Sequence, residues 1–113
     1  MTGAAERLAQ LRLQADRRMA DLRAEVDDVI RSASSTTGDD EHDPEGATIG
    51  FERAQAQALL AAAGEQLREI DAAIARLAAG NYGICVACGR PMPAARLGAR
   101  PTATRCVACA GKR

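Results

Sequence analysis

Cys85, Cys88, Cys106 and Cys109 are all the cysteines in the chain, and they form two C-x-x-C pairs separated by seventeen residues. Four thiolates at that spacing can close tetrahedrally on one zinc ion. A single C-x-x-C pair would equally suit a redox dithiol. Two of them, with Gly83, Gly89 and Gly111 beside or near them to permit tight turns, favour a metal knuckle. Disulfide pairing is the rival and needs an oxidising compartment. A zinc ion held by four sulfurs has no open coordination position, so the expected metal is structural and not catalytic. The segment 81–113 is too short to order itself by apolar burial, and metal binding, worth about 10–16 kcal/mol in small zinc modules, is the expected source of its fold.

Little else in the chain could do chemistry. One histidine, His42, and four cysteines committed to metal leave no Ser/His/Asp or Cys/His set, no phosphate loop and no open metal site, so an enzyme is not expected. His42 stands alone in a polar stretch and reads as a solvated loop residue. The fifteen basic and fifteen acidic residues cancel, but they are segregated. Six basic residues and no acid occupy 81–113. Five acids and no Lys or Arg occupy 38–48.

The elements that must position these groups are helical. One Phe, one Tyr and no Trp leave the interior to Ala, Leu, Ile and Val, which favours helices in close contact over a β-sandwich. Leu8, Leu11, Ala15, Met19, Leu22, Val26 and Val29 recur in steps of three and four, a narrow apolar stripe on a helix from 4 to 31. The polar run from Ser32 to Asp43 ends that pattern. Asp43 as N-cap and Pro44 at the first helical position restart it. The second stripe runs Ile49, Arg53, Ala56, Leu60, Ala63, Leu67, Ile70, Ile74 and Leu77, and Gly80-Asn81 ends the helix after about residue 79.

Two stripes of similar length joined by a short polar turn predict a mainly α fold: an antiparallel two-helix coiled-coil hairpin over 1–80, with an acidic tip at about 32–48, and a small C-terminal four-cysteine zinc-finger module over 81–113. Paired residues should sum to about 80, setting Val29 near Ile49 and Leu8 near Ile70 or Ile74. The N-terminus then returns to the finger. At 1.5 Å per residue the arm is roughly 40–50 Å long. An intermolecular coiled coil is the alternative, and the turn between matched halves favours a monomer. Charge close to Met1 and the lack of a long apolar run predict neither a secretory signal nor a membrane span, hence a cytoplasmic protein.

The finger reads Gly80-Asn-Tyr-Gly-Ile-Cys85-Val-Ala-Cys-Gly89, then Arg96-Leu-Gly-Ala-Arg-Pro-Thr102, then Cys106-Val-Ala-Cys109. This resembles the DksA/TraR family of bacterial transcription regulators over about residues 80–109, and the hairpin before it fits the family in layout. The resemblance implies a regulator without enzymatic activity that binds RNA polymerase directly, with no sequence-specific DNA binding. Its zinc end would dock at the rim of the secondary channel, and acidic residues at the hairpin tip would lie near the catalytic Mg²⁺. It also makes ppGpp a candidate partner. Carried onto this chain, the tip candidates are Asp40, Asp43, Glu45 and Ala47, and the docking candidates are Arg96 and Arg100. The family's Asp-x-x-Asp-x-Ala tip is not reproduced. Aligning Asp43-Pro44 on it puts Gly46 and Thr48 at the functional positions, and a shift of one residue offers Glu45-Gly46-Ala47 instead. Asp43 and Glu45 would also serve the helix N-terminus, where carboxylates gain about 0.3–1 kcal/mol. Two other functions compete: a zinc-finger nucleic-acid binder, supported by the arginines but short of aromatic residues to stack on bases, and a thiol-based redox sensor in which oxidation ejects zinc.

Overall fold

The apolar stripes do form two long helices. In the computed structural model, which describes residues 2–35 and 44–111, α1 spans Thr2–Ser35 and α2 spans Pro44–Ala79, followed by the short helices α3, Ala94–Ala99, and α4, Val107–Ala110. Among the described residues there is no strand, only an isolated antiparallel bridge between Ile84 and Pro91. The fold is a long helical hairpin carrying a cluster of four cysteines toward its C-terminal end.

α1 continues past Val29, its last expected apolar contact, through Ser35. Once a helix is nucleated each further residue adds a hydrogen bond at little cost, so the backbone stays helical beyond the apolar stripe. α2 begins at Pro44 and ends at Ala79, as the cap signals predict. Its end is a Schellman motif: Asn81 N–H donates to Arg76 O at 3.0 Å, Gly80 N–H donates to Leu77 O at 3.2 Å, and Gly80 takes φ +83°.

The chain divides into two compact units. The first comprises Met1–Leu13 with Leu67–Arg113, and the second Gln14–Gln66. In the first, Leu8 is 0% exposed, Ile70 1% and Ala73 0%, with Leu11, Leu67, Ile74 and Leu77 half-buried. Arg12 Nε donates to Asp71 Oδ1 at 2.6 Å. Both groups are about half exposed, so this ion pair adds at most about 1 kcal/mol, and its value is as a marker of the pairing between the start of α1 and the end of α2. In the second unit the buried residues are Ala15, Leu22, Val26, Ala56 and Ala63. Val29 and Ile49 are half-buried there, and Arg31 pairs with Asp28 one turn away on the surface.

Two features of the second stripe differ from expectation. Arg53 is exposed, so the only polar member of the stripe turns to solvent. Ala73, outside the expected stripe, is fully buried. Both long helices contribute alanines to the core, which lets backbones approach closely at the cost of apolar area per residue. The few large buried side chains therefore matter disproportionately. Leu8→Ala or Ile70→Ala should lower stability by about 2–5 kcal/mol, read as a drop in urea midpoint, whereas Arg53→Ala should change it by less than about 0.5 kcal/mol.

Candidate metal centre

The cysteines are brought together by backbone hydrogen bonds more than by side-chain packing. After Asn81 the chain turns through Gly83, φ +83°, and a short antiparallel loop closes where Met92 N–H donates to Gly83 O at 2.7 Å. A side chain at Gly83 would be strained at that φ, and its Cβ would lie 3.2 Å from Leu97 Cδ1. Inside this loop Cys85 N–H donates to Arg90 O at 2.9 Å and Gly89 N–H returns to Cys85 O at 2.8 Å. Gly89 adopts φ +74° to make the turn. The first C-x-x-C pair thus sits in a knuckle. Met92, buried within the same loop, is its apolar anchor.

The second pair is held by a different device. α3 starts after Pro93, whose carbonyl accepts from Arg96 and Leu97 N–H. The Arg96 fork reaches across to Arg105 O, with Nε at 3.1 Å and Nη2 at 3.0 Å. Val86 N–H donates to Thr104 O at 2.9 Å, stitching the first knuckle to the approach of the second. Cys106 then stands at the N-terminal end of α4, and Cys109 lies within it. Two further contacts tie this region to its surroundings. Tyr82 Oη donates to Pro101 O at 2.8 Å, and Arg7 Nη2 donates to Gly98 O at 2.6 Å, so the start of α1 meets the end of α3 as the hairpin register predicts.

All four sulfurs lie within 4.8 Å of one another. A tetrahedron with bonds of about 2.3 Å has edges of about 3.8 Å, and the Cys88 and Cys106 sulfurs are 4.0 Å apart. Cys85 is buried, Cys106 and Cys109 are half-buried and Cys88 is exposed. The protonation pattern follows from this crowding. The Cys85 thiol is pulled down to about 6, first by the backbone amide of Cys106 and then by that of Cys88. Cys106 is also lowered, chiefly by the amide of Cys109. Cys109 is pushed up to about 12 by the neighbouring thiols of Cys106 and Cys85. The set titrates as a unit that holds some thiolates readily and resists the last. A divalent cation with an affinity for soft sulfur relieves that resistance, and four sulfurs with no other ligand suit zinc.

Residues 80–113 match the family model described as the prokaryotic dksA/traR C4-type zinc finger. The solved structure of transcription factor DksA2 from Pseudomonas aeruginosa superposes with a TM-score of 0.82 at 28% identity, covering 96% of this chain and 78% of that one. The finger of this chain is of the DksA/TraR type. A protein of Aquifex aeolicus (strain VF5), described as uncharacterized, is 48% identical over 44 residues, which are 39% of this chain and 30% of that one. The chain thus spans less than a third of that relative. As a DksA/TraR C4 finger, the cluster of Cys85, Cys88, Cys106 and Cys109 holds one structural zinc. The metal neutralises thiolates that could not otherwise coexist and so fixes the two knuckles together.

The other candidates are more dispersed. Arg96 is half-buried and engaged on Arg105 O, while Arg100 is exposed. Ala47 is exposed in α2. Asp40 and Asp43 lie outside the described residues, as does His42. So does the side chain of Glu45, whose backbone is in α2.

A thiol whose value falls on folding contributes stability that is complete above the ordinary thiol range and is lost as pH drops through the folded value. Protons compete with metal in the same direction. Zinc should therefore be retained at pH 7–8 and released on acidification, as protons compete for the four sulfurs, followed with a chromogenic zinc indicator. Cys85→Ser should abolish tight zinc binding and the amide dispersion of 81–111, while far-UV dichroism retains most of the signal of α1 and α2.

Proposed function

We propose that this chain is a DksA/TraR-type transcription factor that binds RNA polymerase directly, docking by its zinc-finger end and inserting the helical hairpin into the secondary channel to modulate initiation. The observation that carries the reading is the likeness, over 96% of the chain, to a protein described as a transcription factor. The charge layout supports it. A hairpin whose turn segment is acidic offers carboxylates, hard oxygen ligands able to act beside a catalytic Mg²⁺. On this reading 1–80 is the arm, 81–113 the docking module, and Asp40, Asp43, Glu45 and Ala47 the residues that reach the polymerase active-site region.

Arg96 and Arg100 are the proposed docking cations. The contact of Arg96 with Arg105 O gives it a structural task as well, so Arg100 is the cleaner probe of docking. The role is regulatory and not enzymatic, in the cytoplasm and as a monomer, with ppGpp a candidate co-ligand. Among the described residues no helix is long and apolar enough to cross a membrane. The finger's own helices have six and four residues, too short to read a major groove, which disfavours sequence-specific DNA recognition.

A pull-down on core RNA polymerase at low salt tests the reading. The intact protein should co-elute, Cys85→Ser should not, and Asp43→Ala and Glu45→Ala should still bind but alter initiation on sensitive promoters. No retention of the zinc-loaded intact protein would remove the proposal. Tip variants that transcribe like the intact protein would remove only the role given to the tip.

A second reading, a thiol-based redox sensor, is favoured by one observation: Cys88 is exposed and its sulfur is 4.0 Å from that of Cys106. Peroxide would take two electrons from a cysteine pair, forming a disulfide and water and leaving too few thiolates to hold the metal. Zinc release should rise with peroxide dose and reverse with dithiothreitol; a metal content unchanged by peroxide would exclude it.

A further inference from the structure

Apart from the metal centre, the unit formed by Met1–Leu13 and Leu67–Arg113 contains a cavity of about 690 Å³, where the start of α1, the end of α2 and the finger meet. Leu77, Ile84, Met92 and Leu97 line it, with Tyr82 beside them. Met92 is buried, but Leu77, Ile84 and Leu97 are only half-buried, so three branched side chains gathered in one place leave apolar surface uncovered. Small residues complete the lining. A Cβ built at Gly3, Gly80 or Gly98 would meet nothing within 4 Å, so the chain leaves this volume unfilled. Its size lies in the range of small-molecule sites, about 300–1,000 Å³.

The polar groups of the cavity are few and of one sign. No Asp or Glu lines it among the described residues, and the Tyr82 hydroxyl is committed to Pro101 O. Arg7 is the single charged residue of the lining. Its Nη2 donates to Gly98 O at 2.6 Å, which fixes the guanidinium against the cavity, and no ion pair engages it among the described residues. A guanidinium has five N–H donors in a planar fork, so most remain to be satisfied by water or by a ligand. Arg7 is also exposed, which places the charge where water still reaches a bound headgroup.

We infer that this cavity binds a medium-chain fatty carboxylate, with the carboxylate on Arg7 and the alkyl tail against Leu77, Ile84, Met92 and Leu97. Charge complementarity selects an anion, and the guanidinium fork matches a carboxylate with two parallel hydrogen bonds. One cation among apolar walls disfavours a polyphosphate, whose further charges would be desolvated without partners. The branched aliphatic walls select an alkyl tail. Neither the cysteines nor Arg96 and Arg100 line the cavity, so the site is separate from the metal centre and from the proposed docking cations and does not rest on the polymerase reading.

The test is titration of the full-length, zinc-loaded protein with octanoate, followed by calorimetry and by methyl NMR. Acetate, octan-1-ol and ATP serve as comparators that lack the tail, lack the charge, or carry several charges. Octanoate should bind one per chain, more tightly than any comparator, and shift the methyl resonances of Leu77, Ile84 and Leu97. Arg7→Gln, whose amide can still donate to Gly98 O, should weaken octanoate about tenfold while leaving octan-1-ol unchanged, and Arg7→Lys should bind octanoate more tightly than Arg7→Gln, each variant retaining one zinc per chain. The inference is overturned if octanoate does not bind, if it binds without shifting those methyls, if acetate or ATP binds as tightly, or if zinc-loaded Arg7→Gln binds octanoate like the intact protein.

Discussion

The structure depends on an electrostatic problem that only a cation solves. Four sulfurs sit close enough that a thiolate on one disfavours a thiolate on the next, visible in Cys109 being driven up to about 12 while Cys85 falls to about 6. Backbone amides can stabilise one or two negative sulfurs but not all four. The finger has no large core to substitute for the metal: Cys85 and Met92 are its buried hydrophobic side chains among the described residues, and most of the rest of its order is hydrogen bonding to the backbone. Remove the charge neutralisation and those bonds have little to hold them against water.

The hairpin is held by a different balance. Its core is thin, built on alanines with Leu8, Leu22, Val26 and Ile70 as the larger buried members. Within each unit the small core residues bury little apolar area apiece, so each contributes modestly. The outer faces of α1 are dense with charge, whereas α2 has no charged residue from Ala54 to Gly64. Charge is spread along most of α1, while the middle of α2 has an uncharged stretch flanked by charged ends.

Much of this is legible in the sequence, for identifiable reasons. The cysteine spacing encodes the metal site directly because ligand geometry tolerates few alternatives, and the cap signals at Pro44 and Gly80 mark both ends of α2. All seven members of the first stripe are buried or half-buried. The stripe on α2 is less readable. In an alanine-rich helix, burial of Ala73 leaves no pattern, and Arg53 falls in a heptad position without the apolar character to stay there. The contacts that assemble the finger are harder still to foresee, since Arg7, Tyr82 and Arg96 all donate to backbone carbonyls, at Gly98, Pro101 and Arg105. A carbonyl acceptor has no residue type, so nothing in the sequence advertises it. The resemblance of residues 80–109 matches the family model of the finger because its motifs include the glycines and cysteines that this backbone geometry requires.

Arg7 and Gly98 stand 91 positions apart in the chain yet share a hydrogen bond. During synthesis the beginning of α1 therefore emerges long before the carbonyl it will meet, by roughly 5–18 s at ribosomal speeds of about 5–20 residues per second. Throughout that interval Leu8, destined to be wholly shielded, has no completed neighbourhood to enter. The start of α1 thus completes its native contacts only after the segment that carries Gly98 has been made.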